Sequence, residues 1–354
     1  MELLKFAGMF AGGLVLLLVG GRVLVDAAAS MAARLGVPPL LVGLTIVAWG
    51  TSAPELAFNT ISAFKDRTDL VFGNLVGANI CNIALILGIG ALLRPLAVGE
   101  EVIRRELPIL AATLLLSLLL GVTGPDGFAR WEGAALLTVF VVYSTFTIVS
   151  GIRAKSRASP LAGQIGPSIA TTTTRSMVSC AAGFAAGLVL LGLGGSLAAD
   201  GASGAAEALG VSPTIVGLTV VSVGTTLPEL ITAIIAIRKG HVDLAVGNAL
   251  GSCMFNIACI LGLASIISPA GLPENGALAL VVMTGLGIVL LPMAYTHNRT
   301  ISRIEGTSLL AVYAAFVAFQ VYSAVAAPRG IGPAEDAAGP GPAAPLSPDG
   351  EERR

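Results

Sequence analysis

The sequence predicts an all-α integral membrane protein whose ten transmembrane helices form two inverted five-helix repeats, with breaks in the second and seventh helices. Three observations predict this fold. The 354-residue chain is 55% apolar and only 12% charged. Apolar runs of about 20 residues, the length that crosses a bilayer as a helix, recur from one end nearly to the other. The second half of the sequence repeats the first at a fixed spacing.

Composition also excludes several classes of protein. The charged fraction is about half that of an average soluble domain, and the mean hydropathy is +0.88. The net charge of −1 predicts no nucleic-acid partner. The four cysteines lie in apolar segments without metal-ligand spacing, and the two histidines lie in polar connections outside any H-E-x-x-H pattern. A zinc peptidase and a resident cofactor are therefore not expected.

The internal repeat has a single offset of 174 residues. The stretch "GTSAPEL" at 50–56 matches "GTTLPEL" at 224–230. Residues 36–95 align with 210–269 without a gap, and 27 of the 60 positions are identical. The first apolar segment resembles a cleaved signal peptide, but it recurs in the second half, which predicts a retained span.

Each half contains five predicted spans. Because five is odd, the second half is expected to enter the membrane from the opposite side, which makes the repeat inverted. The predicted spans are 6–28, 39–63, 70–92, 107–124 and 132–151 in the first half, and 178–200, 213–237, 244–267, 276–295 and 306–326 in the second.

Four regions follow from these spans: 1–151 is the first repeat, 152–177 a cytoplasmic linker, 178–326 the second repeat and 327–354 a Pro/Gly/Ala-rich tail predicted to be disordered. The loops after the odd-numbered spans carry twelve Lys and Arg, against five on the opposite side outside the tail. Basic residues favour the cytoplasm. The sequence therefore predicts a plasma membrane (prokaryotic inner membrane) protein with both termini outside.

A proline and a carboxylate stand side by side in the second and seventh spans. Pro54 precedes Glu55, and Pro228 precedes Glu229. A charge at the bilayer centre costs roughly 3 kcal/mol or more, and no Lys or Arg lies deep in a predicted span to pair with these acids. Proline lacks an N–H and crowds the carbonyl one turn back, so both helices are expected to break and to line a cavity there.

Further oxygen atoms share a face with each glutamate. A hydroxyl alone commonly bonds its own helix, but the repeated proline and glutamate beside it favour a binding site. The groups are the hydroxyls of Thr51, Ser52, Thr225 and Thr226, the carbonyls near 48–51 and 222–225, and, at four-residue spacing on the third and eighth spans, Asn74, Asn82, Asn248, Ser252 and Asn256. Helix–helix hydrogen bonding is the favoured role for Asn74 and Asn248. For Asn82 and Asn256, that role and ion binding both stay open.

These are hard oxygen ligands without a thiolate or an imidazole. Such ligands suit Ca²⁺, Na⁺ or protons rather than Zn²⁺ or Cu⁺. Two carboxylates supply the two negative charges that one Ca²⁺ neutralises. A cation cluster at the midplane between inverted repeats is typical of an alternating-access transporter.

The doubled G-T-[ST]-x-P-E, each copy followed by G-N-x-x-G-x-x-x-x-N, resembles the α-repeats of the calcium/cation antiporter superfamily and is most similar to the prokaryotic sodium/calcium exchangers. The resemblance covers roughly 6–326 and implies that helices 1 and 6 slide across a core of helices 2, 3, 7 and 8. It implies transport of Ca²⁺ and Na⁺, without enzymatic activity. The ion ligands it implies are Glu55, Glu229, Thr51, Ser52, Thr225, Thr226, Asn82, Ser252, Asn256 and the backbone oxygens of Ala48 and Ser222.

Two positions depart from the family pattern. Ala78 stands where the third helix often has a serine, although its repeat partner Ser252 keeps the hydroxyl. Asn256 stands where some members carry an aspartate. Both departures leave the number of Na⁺ per Ca²⁺ open, and they leave room for Ca²⁺/H⁺ exchange with the two glutamates as proton carriers. A passive cation channel is a weaker alternative, and an intramembrane enzyme is disfavoured because Ser52 has no histidine partner.

Overall fold

The computed structural model describes residues 2–124, 127–158, 176–209, 222–269, 271–273 and 275–326. Within these residues, eight helices are long and apolar enough to cross a membrane, and a bent pair of helices would make a ninth span. The predicted tail, most of the linker between the halves and the start of the seventh span lie outside the described residues. The chain is an integral membrane protein.

The helices follow the predicted spans closely. Their bounds are Glu2–Leu35 (α1), Pro39–Thr51 (α2a), Ala53–Phe64 (α2b), Thr68–Leu93 (α3), Val102–Thr123 (α4), Arg130–Ala158 (α5), Met177–Ala208 (α6), Ser222–Arg238 (α7), Val242–Ile267 (α8), Gly276–Tyr295 (α9) and Arg303–Ala326 (α10). Helix α5 continues past the predicted end at 151. Two short antiparallel strands, Leu96–Ala97 (β1) and Thr300–Ile301 (β2), join the connection after α3 to the connection after α9.

The second span is bent where the sequence predicts a break. Helices α2a and α2b meet at an angle of 47° around Ser52, and Pro54 lies in the first turn of α2b. Because Pro54 has no N–H, it cannot donate to the carbonyl of Gly50. The bend therefore places Glu55 in the first turn of a new helix, where the helix dipole favours negative charge.

The predicted break at Pro228 is not present in the described part of the seventh span. Helix α7 runs without interruption from Ser222 to Arg238, with Pro228 inside it. Helix α6 packs against this turn, since a Cβ at Gly195 would be in ordinary contact with Pro228 Cγ at 3.5 Å and with the Gly224 carbonyl oxygen at 3.6 Å. Pro228 therefore stays inside a continuous helix, although its missing N–H removes one helical hydrogen bond.

Helices α1 and α6 pack backbone to backbone through equivalent glycines of the two halves. A Cβ at Gly187 would lie 2.8 Å from the backbone nitrogen of Leu24. A Cβ at Gly13 would meet the backbone of Ala198 in the same way. Gly13 and Gly187 are 174 residues apart, as are Leu24 and Ala198. Small residues allow this close approach in lipid. The two contacts are equivalent, because each residue in one is the repeat counterpart of a residue in the other.

Helices α3 and α8 form the core. In each, 78% of the most apolar stretch is buried inside the protein, against 17% in α1 and 22% in α6. Each core helix contains a wider π-helical segment, Cys81–Ile86 in α3 and Phe255–Leu261 in α8. Such segments are rare and are frequent at functional sites. They begin at equivalent positions of the repeat, and Asn82 and Asn256 lie on them.

Candidate cation-binding site

The two motif glutamates are buried without a compensating charge. Glu55 and Glu229 are each 1% exposed. The ion pairs of the described residues all lie elsewhere. Within the same residues, no group hydrogen-bonds either carboxylate oxygen of Glu55 or the Oε2 atom of Glu229. Buried carboxylates without such partners need a bound cation or proton to balance their charge.

Ser52 connects the bend to the second half of the chain. Its Oγ lies 2.9 Å from Glu229 Oε1 and 3.1 Å from Ser252 Oγ. Ser52 is fully buried and occupies the joint between α2a and α2b, with ψ near 10° instead of a helical value. The bend thus carries a hydroxyl from the first repeat to the carboxylate of the second.

The threonines contact the asparagines of the opposite repeat. Thr51 Oγ1 donates to Asn248 Oδ1 at 3.3 Å, and Asn74 Nδ2 donates to Thr225 Oγ1 at 3.4 Å. The two contacts are equivalent under the 174-residue offset, but the donor and the acceptor are exchanged. The helix–helix hydrogen bonding predicted for Asn74 and Asn248 is confirmed.

Asn82 and Asn256 present amide groups with spare hydrogen-bonding capacity. Asn82 is fully buried, and neither of its amide atoms has a partner within the part of the chain that the structure describes. Asn256 donates through Nδ2 to Asn79 Oδ1 at 3.2 Å, which leaves its Oδ1 unpartnered among those residues. An amide oxygen in this state is a suitable ligand for a hard cation.

The other expected ligands lie on the same helices. The carbonyl oxygen of Ala48 accepts the N–H of Ser52 at 3.0 Å and the hydroxyl of Thr51 at 3.4 Å. Thr226 is 1% exposed. Ser222 begins α7, and its side chain lies outside the described atoms.

Two buried asparagines escaped the sequence analysis. Asn59 Nδ2 donates to the Glu55 carbonyl oxygen at 2.7 Å and to Asn74 Oδ1 at 2.8 Å. The signal for Asn59 was available, because it follows Glu55 by four residues and so shares its face. Asn79 Nδ2 donates to the Cys253 carbonyl oxygen at 3.2 Å. No spacing rule indicated Asn79, because its partners are on another helix.

The polar groups of the candidate site are hard oxygen atoms. Among the described residues, no group of three or more His, Cys, Asp or Glu could hold a metal. The groups around Glu55 and Glu229 carry hydroxyl, amide and carbonyl oxygens, which are the kind of ligand that suits Ca²⁺ or Na⁺.

Comparisons with known proteins agree with this chemistry. Over 88% of this chain, the sequence is 30% identical to the "Sodium/calcium exchanger MaX1" of Methanosarcina acetivorans, covering 97% of that protein. It is 36% identical to the "Inner membrane protein YrbG" of Escherichia coli over 73% of this chain and 78% of that protein. Its fold matches a structure of the sodium-calcium exchanger NCX_Mj soaked with Na⁺ and Sr²⁺, with a TM-score of 0.75, 27% identity, and coverage of 89% of this chain and 98% of that chain.

The family described as "Sodium/calcium exchanger protein" matches residues 5–149 and 179–322, which correspond to the two repeats. The match covers most of the chain and leaves out the predicted linker and tail. The protein belongs to the sodium/calcium exchanger family, and it is a membrane cation antiporter rather than an enzyme.

Proposed function

We propose that the protein is a secondary antiporter that moves Ca²⁺ across the membrane in exchange for Na⁺ by alternating access. The observation that carries the proposal is the pair of buried carboxylates, Glu55 and Glu229, without a cationic partner among the described residues. One Ca²⁺ balances both charges. Na⁺ ions can replace it, because the same hydroxyl and amide oxygens serve either cation.

The relatives support this choice of ions. One is named a sodium/calcium exchanger, and the similar structure was soaked with Na⁺ and the divalent ion Sr²⁺. The ligands proposed here are the carboxylates and hydroxyls of the two motifs, two backbone oxygens (Ala48 and Ser222), and the polar side chains of α3 and α8: Ala48, Thr51, Ser52, Glu55, Asn82, Ser222, Thr225, Thr226, Glu229, Ser252 and Asn256.

A one-sided ion pair supports alternating access. Lys239 Nζ lies 2.5 Å from Asp26 Oδ1 and joins the end of α7 to α1. The repeat counterparts of these residues, Lys65 and Asp200, form no ion pair with each other in the structure. In an inverted repeat the two pairs would lie at opposite faces of the membrane. An ion pair that is formed at one face and broken at the other is the arrangement expected of a carrier in one of its two states.

The proposed topology follows the distribution of basic residues. Ten helices in two inverted repeats, with both termini outside, place the Lys239–Asp26 pair at the cytoplasmic face. The conformation described would then be closed toward the cytoplasm.

Ca²⁺/H⁺ exchange is the second candidate. The unpartnered carboxylate oxygens of Glu55 and Glu229 favour it specifically, because two such groups in a membrane can each take up a proton when no cation is bound. Asn256 adds no third carboxylate that would retain a charge.

Transport in proteoliposomes separates these functions. We expect uptake of radiolabelled Ca²⁺ to depend on an outward Na⁺ gradient and to be indifferent to K⁺ or pH gradients alone. Uptake that follows only the pH gradient would establish proton exchange instead. Flux without any counter-ion requirement would indicate a passive channel. Liposomes with the Glu229→Gln variant provide the background.

A further inference from the structure

We propose that Asn79 is a positioning residue that holds the amide of Asn256 with its oxygen free for a cation. The equivalent residue of the other repeat, Cys253, gives Asn82 no such hold. The proposal rests on the proposed function in that Ca²⁺ binds between these helices. It assigns a role to Asn79, which lies outside the expected set of ligands.

Asn79 and Cys253 are repeat counterparts that meet between α3 and α8. They are separated by 174 residues, and both are fully buried. Each side chain reaches the main chain of the other helix. Asn79 Nδ2 lies 3.2 Å from the Cys253 carbonyl oxygen, and Cys253 Sγ lies 4.0 Å from the Asn79 carbonyl oxygen. The two contacts are equivalent in the repeat, but an amide makes one and a thiol makes the other.

The hydrogen bonds fix which way the Asn79 amide points. The Cys253 carbonyl oxygen can only accept, so the Asn79 atom 3.2 Å from it is the amide nitrogen. The other atom of that amide is the oxygen, which accepts from Asn256 Nδ2 at 3.2 Å. The nitrogen of Asn256 is thereby engaged. Its oxygen has no hydrogen-bonding partner among the described residues, so it remains available to a cation.

A ligand that is already held binds a cation more tightly than one that must be ordered by the cation. An unheld asparagine loses side-chain freedom on binding, and that loss opposes the binding free energy. It can also present its amide nitrogen, which repels a cation. Removing a group that orients a metal ligand typically weakens metal binding by about 10–100-fold. The hydrogen bond from Asn256 to Asn79 therefore favours Ca²⁺ binding before the ion arrives.

The first repeat lacks an equivalent hold. By the 174-residue offset, the residue placed to orient Asn82 as Asn79 orients Asn256 is Cys253. A thiol is only a weak donor and a weak acceptor. Neither amide atom of Asn82 has a partner in the part of the chain that the structure describes. We therefore expect Asn82 to be ordered by the ion itself and to contribute less to affinity than Asn256.

A double-mutant cycle tests the hold on Asn256. Asn79→Leu removes both hydrogen bonds and keeps a similar volume. We expect the dissociation constant for Ca²⁺ to rise about tenfold, measured by isothermal titration of the purified full-length protein. In the Asn256→Ala background, Asn79→Leu should weaken binding no further, because no amide remains to be oriented. In the Asn82→Ala background, it should weaken binding in full. A general loss of packing would weaken binding equally in both backgrounds.

Exchanging the two residues should transfer the hold to the other asparagine. Asn79→Cys with Cys253→Asn keeps the same pair of side chains between the helices. In wild type, Asn256→Ala should weaken Ca²⁺ binding more than Asn82→Ala does, and in the exchanged protein this order should reverse. Cys253→Asn alone should hold both amides and bind Ca²⁺ more tightly than wild type. Cys253→Ala is the matched control and should bind Ca²⁺ as wild type does.

The outcomes separate this inference from the proposed function. Titration with Ca²⁺ alone needs no counter-ion, so it decides the role of Asn79 even in a protein that exchanges Ca²⁺ for protons. A wild-type protein that binds no Ca²⁺ would refute the proposed function and the inference together. Equal weakening by Asn79→Leu with and without the Asn256 amide would overturn the inference alone. An unchanged order of the two alanine variants after the exchange would do the same, and this arm decides if Asn79→Leu does not fold.

Discussion

Lys239 and Asp26 form an ion pair that ties the end of α7 to α1, and the same two positions of the other repeat, Lys65 and Asp200, do not pair in the structure. The pair is partly exposed, at 33% and 46% of the respective side chains. Exposed pairs are worth about 0.2–1 kcal/mol, which changes a conformational equilibrium by up to about fivefold. The asymmetry therefore gives a direct test of alternating access.

Lys239→Gln should weaken closure at the face where the pair forms. We expect the population open at that face to increase by up to about fivefold, measured as the labelling rate of a cysteine introduced beside the site. The charge swap Asp26→Lys with Lys239→Asp should restore the wild-type rate. Lys65→Gln is the matched control and should not open this face. A labelling rate raised as much as by Lys239→Gln would contradict the proposal that the two ion pairs form in alternate states.

Glu55→Gln and Glu229→Gln should each abolish Ca²⁺ transport without unfolding the protein. Each change removes one of the two charges that a divalent cation balances, and it also removes an uncompensated buried charge. We expect the melting temperature in chelator to equal or exceed that of wild type. Ca²⁺ at about a hundred times its dissociation constant should stabilise wild type by about 2.7 kcal/mol. Ca²⁺-dependent stabilisation of either variant to the wild-type extent would refute the site.

Ser252→Ala and Ala78→Ser should have opposite effects on Na⁺. Ser252 offers a hydroxyl beside Ser52 at 3.1 Å, so its loss should weaken Na⁺ competition by about tenfold, equivalent to ~1.4 kcal/mol for one ligand. Ala78→Ser supplies the missing hydroxyl and should strengthen competition. Isothermal titration with Na⁺ and with Ca²⁺ measures the affinity for each ion separately. A variant that changes only the Ca²⁺ affinity would argue against a Na⁺ ligand at that position.

Gly187→Val should force α1 and α6 apart. A Cβ at Gly187 already falls within 3 Å of Leu24 atoms, including its backbone nitrogen, and overpacking of this kind typically costs about 1–3 kcal/mol. The melting temperature in detergent should fall. Gly192→Val is the control on the same helix, because a Cβ there meets no atom within 4 Å. An equal loss in both variants would show that helix propensity, not the contact, is responsible.

The helices and the two glutamates could be predicted because hydrophobic runs, proline and buried charge act locally. The bend at Pro54 is a local effect of this kind. The continuous helix through Pro228 was not predictable, because the same proline and glycine pattern that bends the second span leaves the described part of α7 unbroken. The π-helical segments around Asn82 and Asn256 also escaped the sequence, since the wider turn has no composition signal. Asn59 was visible by spacing, but its hydrogen bond to Asn74, which is on another helix, was not.

The glycine contacts between α1 and α6 have a mechanical consequence. Because Gly13 and Gly187 admit backbone atoms of the other helix, neither helix can shift along the other without a steric clash. We therefore expect the two helices to move together, so that in the proposed alternating-access cycle one displacement uncovers the ion path at one face and covers it at the other. We expect this coupling to prevent a pathway that is open at both faces at once.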